Sequence, residues 1–145
     1  MKPILVPVDG SDCSMRALDF AVELASKLAA EIVVCHVLDL ARAAAISAGA
    51  AQLAEESMEL LRSQGKEIVE RAVARASSKV QVSARVPEGA PVEQIEQLAA
   101  ELPANFIVLG SHGHSGFERL LMGSVAEGVV RAATIPVMVV PCGRT

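Results

Sequence analysis

Glycine, histidine and serine crowd into one stretch of this chain. From Phe106 to Val130 it reads Phe-Ile-Val-Leu-Gly-Ser-His-Gly-His-Ser-Gly-Phe-Glu-Arg-Leu-Leu-Met-Gly-Ser-Val-Ala-Glu-Gly-Val-Val. Gly110, Gly113 and Gly116 fall at regular intervals with small or polar residues between them, and Gly123-Ser124 follows just before a helical pattern. Residues of this kind hold an anion. Glycines let backbone amides approach it closely, and a helix N-terminus adds unpaired N–H groups and a favourable dipole. The layout of apolar strand, glycine loop and helix start is that of a phosphate cradle. Ser124-Val-Ala-Glu127 has the form of a capping box, which predicts a helix start at Ser124. Two familiar phosphate motifs are excluded. No two glycines here are spaced as the dinucleotide fingerprint requires, and no Lys follows Gly123 as a P-loop requires.

Other residues with chemical potential lie outside the loop. Asp9 ends an apolar run and can serve as a ligand or metal carboxylate, or simply cap a turn. His36 reads more simply as a satisfied rim or core histidine than as a catalyst. His112 and His114 have the chemistry of a metal pair, but two ligands in one loop do not complete a site. Phosphate contact or solvation is the simpler reading for them. Cys13, Cys35 and Cys142 are odd in number and far apart, with no C-x-x-C, which predicts neither a disulfide framework nor a zinc site. Cys35 sits in an apolar run and reads as a small buried hydrophobe.

The elements that must position these residues alternate along the chain. Ile4 to Val8 predicts a central strand, with Pro7 unable to donate to its ladder. Ser11 or Asp12 caps a helix running to about Ala30, and Glu31 to Leu38 is a second strand. The Ala-rich stretch Ala41 to Gln52 reads as a loop or frayed helix. A long amphipathic helix follows from about Leu53 to Ala76, and Gly65 inside it is a place for a break. Val80, Val82, Ala84 and Val86 alternate with polar residues as a half-buried edge strand does. Pro91 opens a short helix carrying Val92, Ile95, Leu98 and Ala99. The Phe106 strand, the glycine loop, a helix from Ser124 to about Ala133 and a last strand, Ile135 to Val140, complete the chain. Strand and helix in strict alternation predict an α/β domain, a parallel sheet with helices on both faces. In such sheets ligands sit beyond the carboxyl ends of the strands, where strand order reverses. If the first and fourth strands are neighbours, Asp9 and the glycine loop line one crevice.

Length and composition bound the class. A chain of 145 residues predicts a single domain spanning 1–145. Hydrophobic content is 52%, yet no apolar run approaches the roughly 20 residues needed to span a bilayer. Met-Lys-Pro leads straight into a strand-like run, so a cytoplasmic protein without signal peptide or membrane association is expected. The formal net charge is −4, with no Trp or Tyr and three Phe. Nucleic-acid binding needs a basic face or stacking aromatics, and neither is present.

Gly110, Gly113, Gly123 and Ser124 together fill the pattern G-x2-G-x9-G-[ST], and on it the chain resembles the ATP-binding branch of the universal stress protein family. The likeness covers essentially the whole chain. Ile4-Leu-Val-Pro-Val-Asp-Gly-Ser resembles the family's opening strand and turn, His36-Val-Leu-Asp39 the end of its second strand, Glu88-Gly-Ala-Pro91 the turn before its third helix, and Ile135-Pro-Val-Met-Val-Val its final strand. The resemblance implies an open five-stranded parallel sheet of order 3-2-1-4-5, like the adenine nucleotide alpha hydrolases. It implies ATP and Mg2+ as cofactors. Asp9 would lie by the ribose and metal, the backbone of Val37 would hold the adenine, and Gly89 would close the pocket. Gly110, Gly113, Gly123 and Ser124 would bind phosphate, with Pro7, Val8, Ser11, Leu109, Ser111, His112 and Val125 completing the nucleotide-binding set. One departure stands out: the position after Gly113, commonly Arg or Lys in the family, is His114. The resemblance also implies a homodimer through Ile135 to Val140, which is apolar on both faces although it lies at a sheet edge.

Two functional classes compete. One is a nucleotide-dependent regulatory or stress-response protein that holds ATP, hydrolyses it slowly at most and acts on an unidentified protein partner. The other is an enzyme acting on adenine nucleotides. No nucleophile stands beside a base and the phosphate loop has no lysine, which favours the first and assigns no catalytic residue. A third reading, an interaction module with no use for nucleotide, is weakened by the intact glycines.

Overall fold

A computed structural model describes residues 2–46, 51–113 and 122–142. Its elements in chain order are β1 (Ile4–Pro7), α1 (Asp12–Leu28), β2 (Ile32–Cys35), α2 (Leu40–Ile46), α3 (Ala51–Ala76), β3 (Val82–Arg85), α4 (Pro91–Glu101), β4 (Phe106–Gly110), α5 (Ser124–Ala132) and β5 (Val137–Val140). The five strands form one sheet of order β3-β2-β1-β4-β5, and all four pairings are parallel.

The sheet is buried on both faces because successive strand residues point to opposite sides. Ile4, Val6, Val8, Ile32, Val34 and Val108 face α1 and α3, where Leu18, Ala21, Val69 and Ala72 pack on them. Leu5, Val33, Cys35, Ile107 and Leu109 face α4 and α5, meeting Ile95, Leu98, Ala126 and Val129. Fully burying a side chain of this size contributes about 1.5–3 kcal/mol, and Ile4, Leu5, Ile107 and Val108 have no exposed surface. The edge strand β3 has the expected alternation, with Val82 and Ala84 half-buried and Ser83 and Arg85 exposed.

Several elements differ in detail from the sequence expectation. β2 is shorter, and Leu38 instead makes an isolated parallel bridge with Glu88. α1 ends at Leu28, with Ala29 in the left-handed region at φ 53°. Part of the Ala-rich stretch is helical, as α2 and the start of α3, and residues 47–50 lie outside the described part. α3 runs through Gly65 without a break. A Cβ at Gly65 would lie 2.8 Å from Leu38 Cδ2 and 3.0 Å from His36 Cδ2, so the glycine lets α3 approach the end of β2 closely. α5 begins at Ser124, but its N-cap is Gly123 and no side chain caps it, so the predicted capping box does not form. Glu127 pairs with Arg131 at 2.7 Å instead.

Candidate functional site at the β1–β4 switch point

β1 is where the strand order reverses, and Pro7 shapes what lies beyond it. The amides of Ile4 and Val8 donate to Glu31 and Cys35 of the β2 side at 2.9 and 2.8 Å. The intervening residues therefore turn their peptide groups to β4. Pro7 faces β4 with no N–H to give. The β1–β2 register accordingly runs to Pro7↔Cys35, whereas the β1–β4 register ends at Leu5↔Ile107. β4 continues against β5 as far as Gly110↔Val140. The two central strands are no longer paired beyond this point, and in sheets of this kind the ligand crevice lies between such carboxyl ends.

One wall of the crevice is the turn from Asp9 to Ser14. Gly10 takes φ 84°, a left-handed conformation that suits glycine. Asp9 Oδ1 accepts from the Ser11 amide at 2.9 Å and from the Ser11 hydroxyl. Ser11 Oγ in turn accepts from the Ser14 amide at 3.2 Å as the α1 N-cap, and Ser14 Oγ donates to the Ser11 carbonyl at 3.0 Å. Asp9 thus caps a turn, as the simpler reading held, while its second oxygen faces across the crevice. A Cβ on Gly113 would lie 2.5 Å from Asp9 Oδ2. The carboxylate and the glycine loop do line one crevice, and Gly113 must lack a side chain for both to fit.

The opposite wall is the base of the glycine loop. A Cβ on Gly110 would meet Cys13 Sγ at 2.8 Å and its carbonyl oxygen at 3.0 Å. The Ser111 amide donates to the Val140 carbonyl at 2.9 Å, and the Gly123 amide donates to the Ser111 carbonyl at 2.6 Å. This brings the start of α5, and with it Ser124 and Val125, beside Gly110 and Ser111. The N-cap of α5 is a glycine, and among the described residues no side chain caps its first turn, the kind of helix start that suits an anion. His114, Gly116 and Arg119 lie outside the described residues.

The end of the site on the β2 side is built from the chain beyond β2. The amides of Ile32, His36 and Leu38 donate to Gln81, Arg85 and Pro87 on the β3 side at 2.9, 3.1 and 2.8 Å. By alternation Val37 turns its N–H and C=O to the β1 side, past the end of β1. Gly89 takes φ 148°, and Gln94 Nε2 would be 2.8 Å from any Cβ there. Its amide donates to the Leu38 carbonyl at 2.9 Å, fixing the turn beside Val37. His36 Nδ1 donates to the Val8 carbonyl at 2.8 Å, a satisfied rim histidine as expected. Val8 and Leu109 are buried core residues, so only their backbone reaches the crevice, and Pro7 is half-buried at its floor.

The sequence reading missed one feature. Cys13 and Cys142 form a disulfide, with Cα atoms 5.2 Å apart across a sequence separation of 129. The expectation of no disulfide is overturned because β4–β5 pairing carries the segment after Val140 to the N-terminus of α1. No spacing rule links residues so far apart. Cys35 is the free cysteine, fully buried, and burial pushes its thiol up to about 12.

Among the described residues no three His, Cys, Asp or Glu side chains converge as a metal site. A lone carboxylate does not fit an all-protein metal cage. It does fit Mg2+, which keeps several waters and takes phosphate oxygens as ligands.

The sequence profile of the universal stress protein family matches residues 1–141. The chain belongs to that family. It is 36% identical to universal stress protein MJ0531 of Methanocaldococcus jannaschii over 141 residues, 96% of this chain and 81% of the relative. Its fold is similar to that of the hypothetical protein MJ0577, with a TM-score of 0.87, 26% identity and coverage of 99% of this chain and 98% of that one. Two further solved members of the family carry nucleotides. One is a universal stress protein in complex with cAMP, at 27% identity, TM-score 0.71 and 96% coverage of both chains. The other is the Archaeoglobus fulgidus protein in complex with dAMP, at 27% identity, TM-score 0.70 and coverage of 96% and 97%. No helix among the described residues of this universal stress protein is long and apolar enough to cross a membrane.

Proposed function

We propose that this universal stress protein binds ATP with Mg2+ in the β1–β4 crevice and works as a nucleotide-dependent regulatory protein. The observation that carries the reading is the close approach of Asp9 to Gly113, next to the N-terminus of α5 with its glycine N-cap. The peptide groups of Val37 suit the edge of an adenine, with Gly89 closing that end. The backbone at Gly110 and Gly113 and the first turn of α5 at Ser124 and Val125 suit the phosphates. Asp9 suits the ribose and the metal. Adenine nucleotides bound to the two solved relatives support the ligand class.

The same groups argue for holding ATP over turning it over. Hydrolysis needs a positioned water and charge matched to the transition state. Backbone amides and a helix dipole bind ground state and transition state alike, which does not accelerate chemistry. The stretch from Gly110 to Gly123 has no Lys, and His112 Nδ1 is engaged with Ser111 Oγ at 2.9 Å. Mg2+, when bound, would supply part of the missing charge. Turnover is expected far below the median enzyme value of about 10 per second.

Calorimetric titration with ATP–Mg2+, and with AMP as competitor, tests the reading. Saturable binding of ATP at micromolar to millimolar concentration is the expected result. No binding of either nucleotide at millimolar concentration refutes it, and preference for AMP removes the triphosphate from it.

We further propose a homodimer through β5. Val137, Val139 and Val140 are half-buried and Met138 is 37% exposed on a strand with an open edge, which proteins normally cover. Sedimentation should show a dimer at micromolar concentration and a monomer for Val139→Lys.

A further inference from the structure

The cysteine pair sits one contact from the phosphate loop. Cys13 lies in the first turn of α1, packed on Gly110 so closely that any side chain there would collide with it. Cys142 follows β5, and its amide donates to Ser111 Oγ at 3.2 Å. Ser111 Oγ lies 3.4 Å from Cys142 Sγ and 2.9 Å from His112 Nδ1. A hydroxyl has one proton, so with that proton on the sulfur, His112 donates from Nδ1. A polar chain thus runs from Cys142 through Ser111 to His112. The Ser111 carbonyl also holds the Gly123 amide, which links the same residue to the start of α5. The bridge therefore straddles Gly110-Ser111, the base of the loop, and ties it to α1 on one side and to the chain after β5 on the other.

We propose that Cys13 and Cys142 are a redox-responsive clasp on the nucleotide site, the disulfide state binding adenine nucleotide more tightly than the dithiol state. The inference rests on the nucleotide-binding reading above. With the bridge closed, Pro141-Cys142 is held over Ser111 and the loop base is preorganised. With it open, Cys142 is free to leave Ser111, and ordering that segment falls to the binding step. By linkage, bound nucleotide stabilises the disulfide by the same factor. Both cysteines are half-buried, open to a small reagent. Cys35, fully buried with its thiol pushed up to about 12, stays out of exchange.

The oxidant is a small-molecule disulfide such as oxidised glutathione. One protein thiol, as thiolate, attacks a sulfur of the small disulfide and expels one small thiolate, which takes up a proton. The second protein thiolate attacks the protein sulfur of the mixed disulfide and expels the other. The protein loses two electrons and two protons, and one small disulfide becomes two small thiols. In a reducing compartment a bridge of this kind is transient and responds to redox conditions.

The test uses the full chain equilibrated with oxidised glutathione or with dithiothreitol, its state verified by intact mass and by thiol count after denaturation, one against three. Titration calorimetry with ATP–Mg2+ should give affinity about tenfold higher in the oxidised state. Thiol trapping across glutathione redox buffers should show ATP lowering the potential of the pair by about 30 mV, the two-electron equivalent of tenfold. The Cys13→Ser/Cys142→Ser variant should bind like the reduced protein in both buffers, and Cys142→Ala should do the same. Equal affinity in the two states overturns the clasp while leaving the nucleotide reading intact. So does failure of the bridge to form in protein that binds ATP, or loss of the circular dichroism of the fold on reduction. Absence of ATP binding in both states removes the nucleotide reading and the clasp with it.

Discussion

Gly113→Ala isolates the contact on which the functional reading turns. The added Cβ would stand 2.5 Å from Asp9 Oδ2, about 1 Å inside an ordinary contact of roughly 3.5 Å. The loop or the carboxylate must move. Asp9 is anchored through its other oxygen by the Ser11 amide and hydroxyl, and hydrogen bonds to a charged group contribute about 1.5–3 kcal/mol each. Swinging the carboxylate away loosens those bonds; keeping it displaces the loop. Either response disturbs the crevice while the core stays intact. The expected loss of ATP affinity is about 10–100-fold, or roughly 1.4–2.8 kcal/mol. Calorimetry on the wild type, Gly113→Ala, Asp9→Ala and the double variant forms a thermodynamic cycle. If the collision with Asp9 is the cause, Gly113→Ala costs little once Asp9 is Ala, and the cycle shows coupling of 1 kcal/mol or more. Wild-type affinity in Gly113→Ala refutes the reasoning. Strict additivity would mean that Gly113 acts on the ligand without Asp9.

Three further outcomes follow from packing and charge. Gly65→Ala gains about 1 kcal/mol of helix propensity but drives a methyl against buried Leu38 and against His36, which is tied to Val8. Overpacking costs about 1–3 kcal/mol, so thermal unfolding should show a lower Tm by a few degrees; a rise would mean that the β2 end yields freely. Glu96 Oε1 is buried with no partner among the described residues, and burial raises its pKa. The folded state then holds the proton more tightly than the unfolded state, so stability falls as pH rises through the ordinary carboxylate range towards the raised folded value. Glu96→Gln should be slightly more stable than wild type at pH 7, an advantage that disappears in acid, as pH-dependent urea unfolding would reveal. Reducing Cys13–Cys142, which closes a loop with a sequence separation of 129, should cost up to about 5 kcal/mol by the chain-entropy argument, measured as a lower urea midpoint in dithiothreitol than in buffer without reductant.

The strand and helix alternation was legible because each element carries its own period. β-branched runs such as Ile4–Val6 and Ile32–Val34, and stripes such as Ile95, Leu98 and Ala99, state their type locally. The strand ends were legible too, since Asp9 and Gly110 cannot continue an apolar run, but that β1 and β4 are neighbours came only from the family resemblance and is shown by the sheet itself. Pro7 announced an interrupted ladder, because a missing N–H is a covalent fact of one residue. Which ladder it interrupts depended on whether an odd or even residue faces β4, and only the register settles that. Gly65 read as a weak point in isolation; packed on Leu38 and His36 it is the place where a helix fits against a strand end. Ser124 carried the local signature of an N-cap, but the bond from the Gly123 amide to the Ser111 carbonyl fixes the helix entry one residue earlier. Cys13 and Cys142 had no local signal at all. Their meeting needs the parallel pairing of β5 with β4 and the packing of α1 over Gly110. Local chemistry is written in neighbouring residues, whereas proximity across 129 positions is a property of the assembled sheet.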